Sequence, residues 1–248
     1  MNSPRVSIVI ATYNDESALR KTIQELKKVN YSNLEIIVID AKSNDSTVEL
    51  IQSESNFIHK WISEPDKGIY DAWNKGILRA TGDWIAFLGA GDFYVEDGLQ
   101  KYIDFIQMQS DQPLYVSSKI NLVEEDDKII RTIGVAWNWN EFKKSMRIAH
   151  VGSLHSKKLF ETYGLFDSSW RIVGDYEFLS RPKEKLKALF LDAVTASMLT
   201  GGISASSKAL KELKHLKLKQ RVRNPFLCEF DYIQARIKLK IRQFLWRY

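Results

Sequence analysis

The sequence predicts an α/β fold: a mostly parallel sheet flanked by helices, followed by a small antiparallel region and a basic helical tail. Three observations predict it. Short apolar runs alternate with amphipathic segments through the first 112 residues, the pattern of parallel strands joined by crossover helices. Beyond Pro113 the alternation gives way to two runs around Glu124-Glu125-Asp126-Asp127, which read as an antiparallel hairpin. From residue 205 onward the chain is strongly basic and mostly helical in pattern.

Residues 6–11 form a β-rich apolar run that passes into Thr12-Tyr13-Asn14-Asp15. Residues 16–29 read as a helix, with Leu19, Ile23 and Leu26 at helical spacing. A second apolar run, residues 34–40, ends in the carboxylate of Asp40. Asp45-Ser46-Thr47 resembles a helix start, with Val48, Leu50 and Ile51 behind it. A weaker strand is expected over residues 57–62, then a helix over 68–80. Its Ile69, Trp73 and Ile77 line one face, while Asp71, Asn74 and Lys75 point elsewhere. Residues 84–88 are a fourth strand and 95–108 another helix. The hairpin takes residues 114–122 and 128–135. Helices are expected at 157–163 and 175–187, and a last strand at 188–198. This divides the chain into residues 1–204, with halves 1–112 and 113–204, and a tail of residues 205–248.

Composition excludes several classes. With 44% apolar and 27% charged residues, the chain has the make-up of a globular protein. A single cysteine, Cys228, leaves no intrachain disulfide and suits a reducing compartment. The four histidines form no HExxH pattern. The start, Met-Asn-Ser-Pro-Arg, enters a strand at once, so no signal peptide is expected. No apolar run approaches the roughly 18 residues of a spanning helix. A cytoplasmic enzyme, peripheral on the inner face of the membrane, is the expectation.

The net charge of +5 is uneven. Residues 205–248 carry 12 Lys/Arg against 3 Asp/Glu, so the rest of the chain is acidic. In the tail Phe226, Phe230, Ile233, Ile237, Ile241 and Phe244 recur at steps of three or four. Arg236, Lys238, Lys240 and Arg242 lie between them, and Trp246 and Tyr248 end the chain. A basic helix with an aromatic-rich apolar face suits an anionic bilayer surface. Packing on the body or on a partner subunit is the alternative. Nucleic acid is not expected, because no recognition module accompanies the basic residues.

The chemistry concentrates where predicted strands end, at the edge where open α/β sheets bind ligands. Asp83-Trp84-Ile85-Ala86-Phe87-Leu88-Gly89-Ala90-Gly91-Asp92 places a carboxylate after two glycines at the end of a buried run. Asp92 there suits a hard divalent cation carrying phosphates. Thr12, Tyr13 and Asp40 fall on the same edge, where they suit a base or ribose, or simply solvated turns. Asp66, in Glu64-Pro65-Asp66-Lys67-Gly68, either caps the next helix or faces the crevice beside Asp40. Asp71 and Lys75 form an i, i+4 pair, and Lys75 is also long enough for a diphosphate. Neither GxGxxG nor GxxxxGK[ST] is present, so a metal and scattered side chains must neutralise any bound phosphate. Asp175 opens a helix, where the macrodipole favours a carboxylate, and where a general base for a hydroxyl is equally at home. His150 begins a strand-like His-Val-Gly-Ser-Leu run and reads as a packed residue. Gly201-Gly202-Ile203-Ser204 reads as a loop over a donor or as a linker.

In order along the chain, these pieces resemble glycosyltransferase family 2, the inverting nucleotide-sugar enzymes of the GT-A fold. The matching marks begin with Val6-Ser7-Ile8-Val9-Ile10-Ala11-Thr12-Tyr13-Asn14, Ile39-Asp40 and Ser43-Asn44-Asp45-Ser46-Thr47. They continue with Glu64-Pro65-Asp66-Lys67-Gly68-Ile69-Tyr70-Asp71-Ala72-Trp73-Asn74-Lys75-Gly76 and Ala80-Thr81-Gly82-Asp83-Trp84. The last are Gly164-Leu165-Phe166-Asp167 and Asp175-Tyr176-Glu177-Phe178 with Arg181. The likeness runs from about residue 4 to residue 204, and it is nearest to enzymes of bacterial capsule, exopolysaccharide and lipopolysaccharide synthesis.

The resemblance implies a Rossmann-like sheet and a set of roles. Asp40 and Asp66 contact the nucleotide, and Thr12 and Tyr13 line its pocket. Asp92 matches the last carboxylate of a DxD element holding Mn²⁺ or Mg²⁺, and Asp175 matches the catalytic base. The donor is a nucleoside-diphosphate sugar, with a UDP-sugar favoured, and the acceptor is a glycan or lipid-linked glycan. One departure stands out: the first Asp of DxD is absent, since the loop reads Gly89-Ala90-Gly91-Asp92. Two other readings remain open at this stage. One is a non-catalytic sugar-nucleotide or membrane-binding scaffold. The other is a nucleotidyltransferase, which releases pyrophosphate rather than a nucleoside diphosphate.

Overall fold

Strand β1 (Val6–Thr12) is buried along nearly its whole length because it pairs on both sides, parallel to β2 (Leu34–Asp40) and to β4 (Trp84–Gly89). A computed structural model describes this fold for residues 3–202 and 206–245, with side chains through residue 241. Strand β3 (Lys60–Ser63) adds a parallel edge to β2. The helices α1 (Glu16–Leu26), α2 (Thr47–Ser53) and α3 (Ile69–Ile77) are the crossovers of this first half. Successive strand residues face opposite sides, so β1 feeds two cores. Ile8 and Ile10 pack with Leu19, Ile23, Leu50, Leu99 and Tyr102 on one face. Val9 packs on the other with Ile37, Phe87, Tyr70, Trp73, Phe160 and Phe178.

The second half continues the same sheet. Its strands are β5 (Phe93–Tyr94), β6 (Tyr115–Val123), β7 (Ile129–Ile133), β8 (Ser153–Ser156) and β9 (Ala188–Leu199). The order across the described sheet is β3-β2-β1-β4-β8-β6-β9-β5, with β7 pairing to β6. β8 runs antiparallel to both neighbours, whereas β6 and β9 are parallel with an irregular register near Lys119. The β6–β7 hairpin turns through Asp127, at φ +65°. The remaining helices are α4 (Gly98–Gln107), α5 (Trp139–Phe142), α6 (Lys157–Tyr163), α7 (Gly174–Ser180), α8 (Ser207–Lys219) and α9 (Pro225–Leu245).

Several elements differ from expectation for local reasons. The third strand starts at Lys60 rather than near residue 57, because Phe57 and Ile58 donate their N–H groups to Glu54 O in a turn after α2. The helix expected over residues 175–187 ends at Ser180. Pro182 follows, unable to donate a backbone hydrogen bond, and the chain continues as a 3₁₀ turn over Lys183–Lys185. The strand-like run expected over residues 150–154 forms a strand only from Ser153, as β8, and the two-residue β5 was not expected as a strand.

The amino edge of the sheet is locked by a buried carboxylate. Glu35 accepts hydrogen bonds from Ser7 Oγ at 2.6 Å and from Thr81 N at 2.7 Å, and pairs with Lys60 at 2.9 Å. Burial pushes its pKa up, but these partners outweigh burial and hold it at about 2.

Helix α8 shares the second core through fully buried Leu216, with Leu213 against it. Lys217 is also buried, donating to Lys144 O and pairing with Asp231 of α9 at 3.2 Å. Further along α9 a row of apolar side chains faces outward: Phe226, Phe230, Ile233, Ile237 and Ile241. The side chain of Phe244, and Trp246 and Tyr248, lie outside the described residues. Among the described residues, no helix is long and apolar enough to cross a membrane.

Candidate active site

Strands β1, β2, β3 and β4 run parallel, so Thr12, Asp40, Ser63 and Gly89 end them on one edge. At that edge lies a cleft of about 490 Å³. Its floor and walls come from Ala11 and Thr12 at the end of β1, Tyr13 after it, Ala41 after β2, Pro65, Asp66 and Gly68 before α3, Ile69 and Ala72 of α3, and Arg171. Tyr13 presents its ring to solvent, 62% exposed. The hydroxyl of Thr12 is buried and has no hydrogen-bond partner among the described residues. It is an unsatisfied polar atom beneath the cleft wall.

Of the residues expected to contact a nucleotide, Thr12, Tyr13 and Asp66 line this cleft. Asp66 Oδ1 also accepts from Gly68 N at 2.8 Å, a local turn that shapes the entrance to α3. Asp40 is fully buried, and its carboxylate braces the exit of β2. It accepts from Ser43 N at 3.0 Å, from Ser43 Oγ and from Ser63 Oγ at 2.5 Å. Its neighbour Ala41, not Asp40 itself, is in the cleft wall. Lys75 and Asp71 support the 64–68 loop from behind. Lys75 Nζ pairs with Glu64 at 3.0 Å and Asp71 at 3.7 Å and donates to Pro65 O at 2.8 Å. Asp71 accepts from Lys67 N at 3.0 Å.

Asp92 follows β4 and turns its carboxylate back to the protein, accepting from Leu199 N at 3.1 Å and Gly89 N at 3.3 Å. Gly91 enters this turn at φ +93°, a conformation that side chains disfavour, and donates to Thr22 Oγ1 at 2.9 Å. Burial raises the Asp92 pKa to about 7, against the pull of the two N–H groups. Among the described residues no group of three or more His, Cys, Asp or Glu is gathered to hold a metal ion.

Asp175 is the second residue of α7. Its Oδ1 accepts from Tyr176 N of the same helix at 2.8 Å, and from Tyr70 Oη at 3.0 Å. Oδ2 receives no hydrogen bond among the described residues. Burial raises the Asp175 pKa, partly offset by the Tyr176 N–H and the Tyr70 hydroxyl. The result is a stronger base than an exposed aspartate. Helix α7 is anchored by Glu177 and Arg181. Arg181 makes a two-pronged pair with Glu177, at 3.1 and 2.5 Å, and donates to Tyr163 O and Leu165 O.

Three residues that the sequence did not single out shape this site. Tyr70 of α3 orients Asp175. Glu212 of α8 accepts from Arg171 N at 2.7 Å and Ile172 N at 2.8 Å, fixing the loop before α7. Arg171 brings a guanidinium to the cleft. His150 is packed, as expected: it stacks on Trp73 at 4.7 Å and neither ring nitrogen has a partner among the described residues. Of the Gly201-Gly202-Ile203-Ser204 loop, Ile203 and Ser204 lie outside the described residues.

Residues 7–163 match the family described as Glycosyl transferase family 2. A PGL/p-HBAD biosynthesis glycosyltransferase of Mycobacterium bovis (strain BCG / Pasteur 1173P2) is 27% identical over 236 residues, covering 90% of this chain and 88% of that protein. S. aureus TarS superposes with a TM-score of 0.67 at 13% identity, over 87% of this chain and 39% of TarS, so this chain spans about two fifths of that protein. Residues 1–349 of TarS have been solved in complex with UDP-GlcNAc. The mannosyltransferase PcManGT from Pyrobaculum calidifontis, solved with GDP-Man and Mn²⁺, superposes with a TM-score of 0.64 at 16% identity, over 96% of this chain and 70% of that one. The mixed sheet with helices on both faces is the GT-A architecture of these neighbours.

Proposed function

The chain belongs to glycosyl transferase family 2 and is a glycosyltransferase, and from that premise we propose an inverting transfer from a nucleoside-diphosphate sugar to a hydroxyl of a glycan acceptor. The observation that carries this reading is Asp175, with one oxygen held by Tyr70 and the Tyr176 N–H and the other free. Asp175 takes the proton of the acceptor hydroxyl as its oxygen attacks the anomeric carbon. The bond from that carbon to the diphosphate oxygen breaks on the opposite face, and the nucleoside diphosphate leaves. The cleft beside Thr12, Tyr13 and Asp66 holds the nucleotide, with the Tyr13 ring offered to a base. A UDP-sugar is the favoured donor. Asp40, Asp71 and Lys75 contribute by fixing the loops that form the cleft.

Asp92 fits a divalent cation as a single hard-oxygen ligand. Its buried carboxylate lacks a cationic partner among the described residues, and its raised pKa reflects that. Mn²⁺ or Mg²⁺, when bound, supplies positive charge to the diphosphate, with phosphate and water oxygens completing the shell.

The acceptor side is read as a lipid-linked glycan of polysaccharide synthesis at the cytoplasmic membrane face. Support comes from α9, whose Phe230, Ile233, Ile237 and Ile241 are about half exposed in a row interleaved with Arg236, Lys238 and Lys240.

The test is nucleoside diphosphate release from a panel of UDP-, GDP- and dTDP-sugars with glycan acceptors. Asp175→Asn is expected to lose about a thousandfold in turnover while binding nucleotide normally. Near-normal transfer by this folded variant overturns the base assignment. Release of pyrophosphate would indicate nucleotidyl transfer instead.

A further inference from the structure

Helix α3 opens directly onto the cleft. Its N-cap is Gly68, at φ +119°, and no side chain caps it. The N–H groups of Ile69 and Tyr70 in its first turn have no acceptor among the described residues. Such a helix end attracts anions, because unpaired N–H groups and the helix dipole point the same way.

Two further side chains belong to the same cleft as this helix end. Arg171 lies over it: a Cβ added to Gly68 would stand 3.8 Å from both Cδ and Nη1 of Arg171. Arg171 is the only cation among the described residues lining the cleft. Its guanidinium makes no ion pair or hydrogen bond with the described residues, while its backbone is fixed by Glu212. From the β1 side comes Thr12, only 6% exposed, whose hydroxyl is orphaned. The nearby carboxylates are engaged: Asp66 with Gly68 N, and Asp71 with Lys67 N and Lys75. Lys75 is held by Glu64 and Pro65 O, and Lys67, which precedes the N-cap, is not part of the cleft lining.

We propose that Arg171, the N-terminus of α3 and the Thr12 hydroxyl together form a phosphate cradle for the diphosphate of the donor. This rests on the glycosyl-transfer reading and assigns the cation within it. A guanidinium fork matches two phosphate oxygens at once, and helix N–H groups take a third. The cradle sets fixed protein charge against the diphosphate in a chain whose 89–92 loop carries one carboxylate, not two.

Titration calorimetry on the full chain in EDTA tests it, using UDP and GDP as probes and uridine and guanosine as their phosphate-free counterparts. Arg171→Ala is expected to weaken the bound nucleoside diphosphate by about tenfold or more, with Arg171→Lys intermediate. Affinity for the matching nucleoside stays unchanged. Arg171 is exposed, so thermal melting of both variants should match the parent. Unchanged diphosphate affinity in Arg171→Ala overturns the cradle and leaves the transfer reading standing. Equal loss for nucleoside and diphosphate also overturns it, since Arg171 would then shape the cleft rather than hold phosphate. If the parent chain binds neither diphosphate, with or without Mn²⁺, the cradle and the transfer reading fall together.

Discussion

Tyr70 and Asp175, 105 positions apart in the chain, meet through a hydrogen bond of 3.0 Å from the phenol to the carboxylate. The same hydroxyl lies 2.7 Å from Ile172 O, so Tyr70 ties α3, the loop before α7 and Asp175 together. Tyr70→Phe keeps the ring in the core and removes the hydroxyl's links to Asp175 and to Ile172 O. The bond favours the ionised form of Asp175, so its loss raises a pKa already raised by burial. The acid limb of the rate profile should therefore move to higher pH, with turnover down about tenfold at neutral pH. An unshifted profile would mean that Asp175 is not the titrating base.

Acid should unfold this protein through two histidines. His150 and His155 have ring centroids 4.9 Å apart, inside a cage that includes Trp73, Phe87 and Phe166. Burial lowers the pKa of His150 from its ordinary 6.5 to about 3, and burial with the neighbouring His150 also lowers that of His155. Both are neutral in the fold and become charged on unfolding. Their stabilisation is complete above pH 6.5 and is lost as pH falls from there toward the folded values. At pH 5 His150 alone costs about 2 kcal/mol relative to neutral pH, and His155 adds a loss of the same sign. Thermal melts between pH 7 and 5 should show a steeper fall for the parent than for His150→Leu. Equal slopes would count against the histidines as the acid trigger.

The outer face of α9 should govern vesicle binding. Ile233 and Ile237 are 48% and 53% exposed, so aspartates there disturb little of the fold. Ile233→Asp with Ile237→Asp should reduce binding to anionic vesicles by more than about tenfold, and parent binding should weaken as salt rises. Unchanged sedimentation with vesicles would point to a protein partner for this face instead.

The first half of the fold was legible because its strands are apolar runs and its helices are amphipathic, so periodicity and burial agree. The hairpin and α6 were legible for the same reason. β8 was legible only in part, as the strand-like run at residues 150–154, because Ser153, His155 and Ser156 are buried polar residues. Ser153 Oγ meets Tyr115 Oη at 2.6 Å, a distant satisfaction that no local pattern announces. The cleft was legible as far as it rests on motifs after strand ends, since Thr12, Tyr13 and Asp66 line it, whereas Asp175 stands in α7 outside its lining. Motifs did not separate residues in the cleft wall from those that brace it. Asp40 and Lys75 carry the right chemistry, yet their neighbours absorb it. Arg171 escaped notice because it belongs to no motif, and its importance depends on Gly68, which is far away in sequence.

The bond from Glu212 to the backbone of Arg171 and Ile172 has a consequence for how such chains can be recombined. A graft that exchanges everything after the last strand would look harmless by composition. It would nonetheless remove the acceptor that holds the arginine-bearing loop and the leucine that closes the second core. Interchange of tails between related enzymes is therefore constrained to those that bring an acidic residue at the same place on the first tail helix. Specificity for a surface or partner has room to diversify only farther along, on α9.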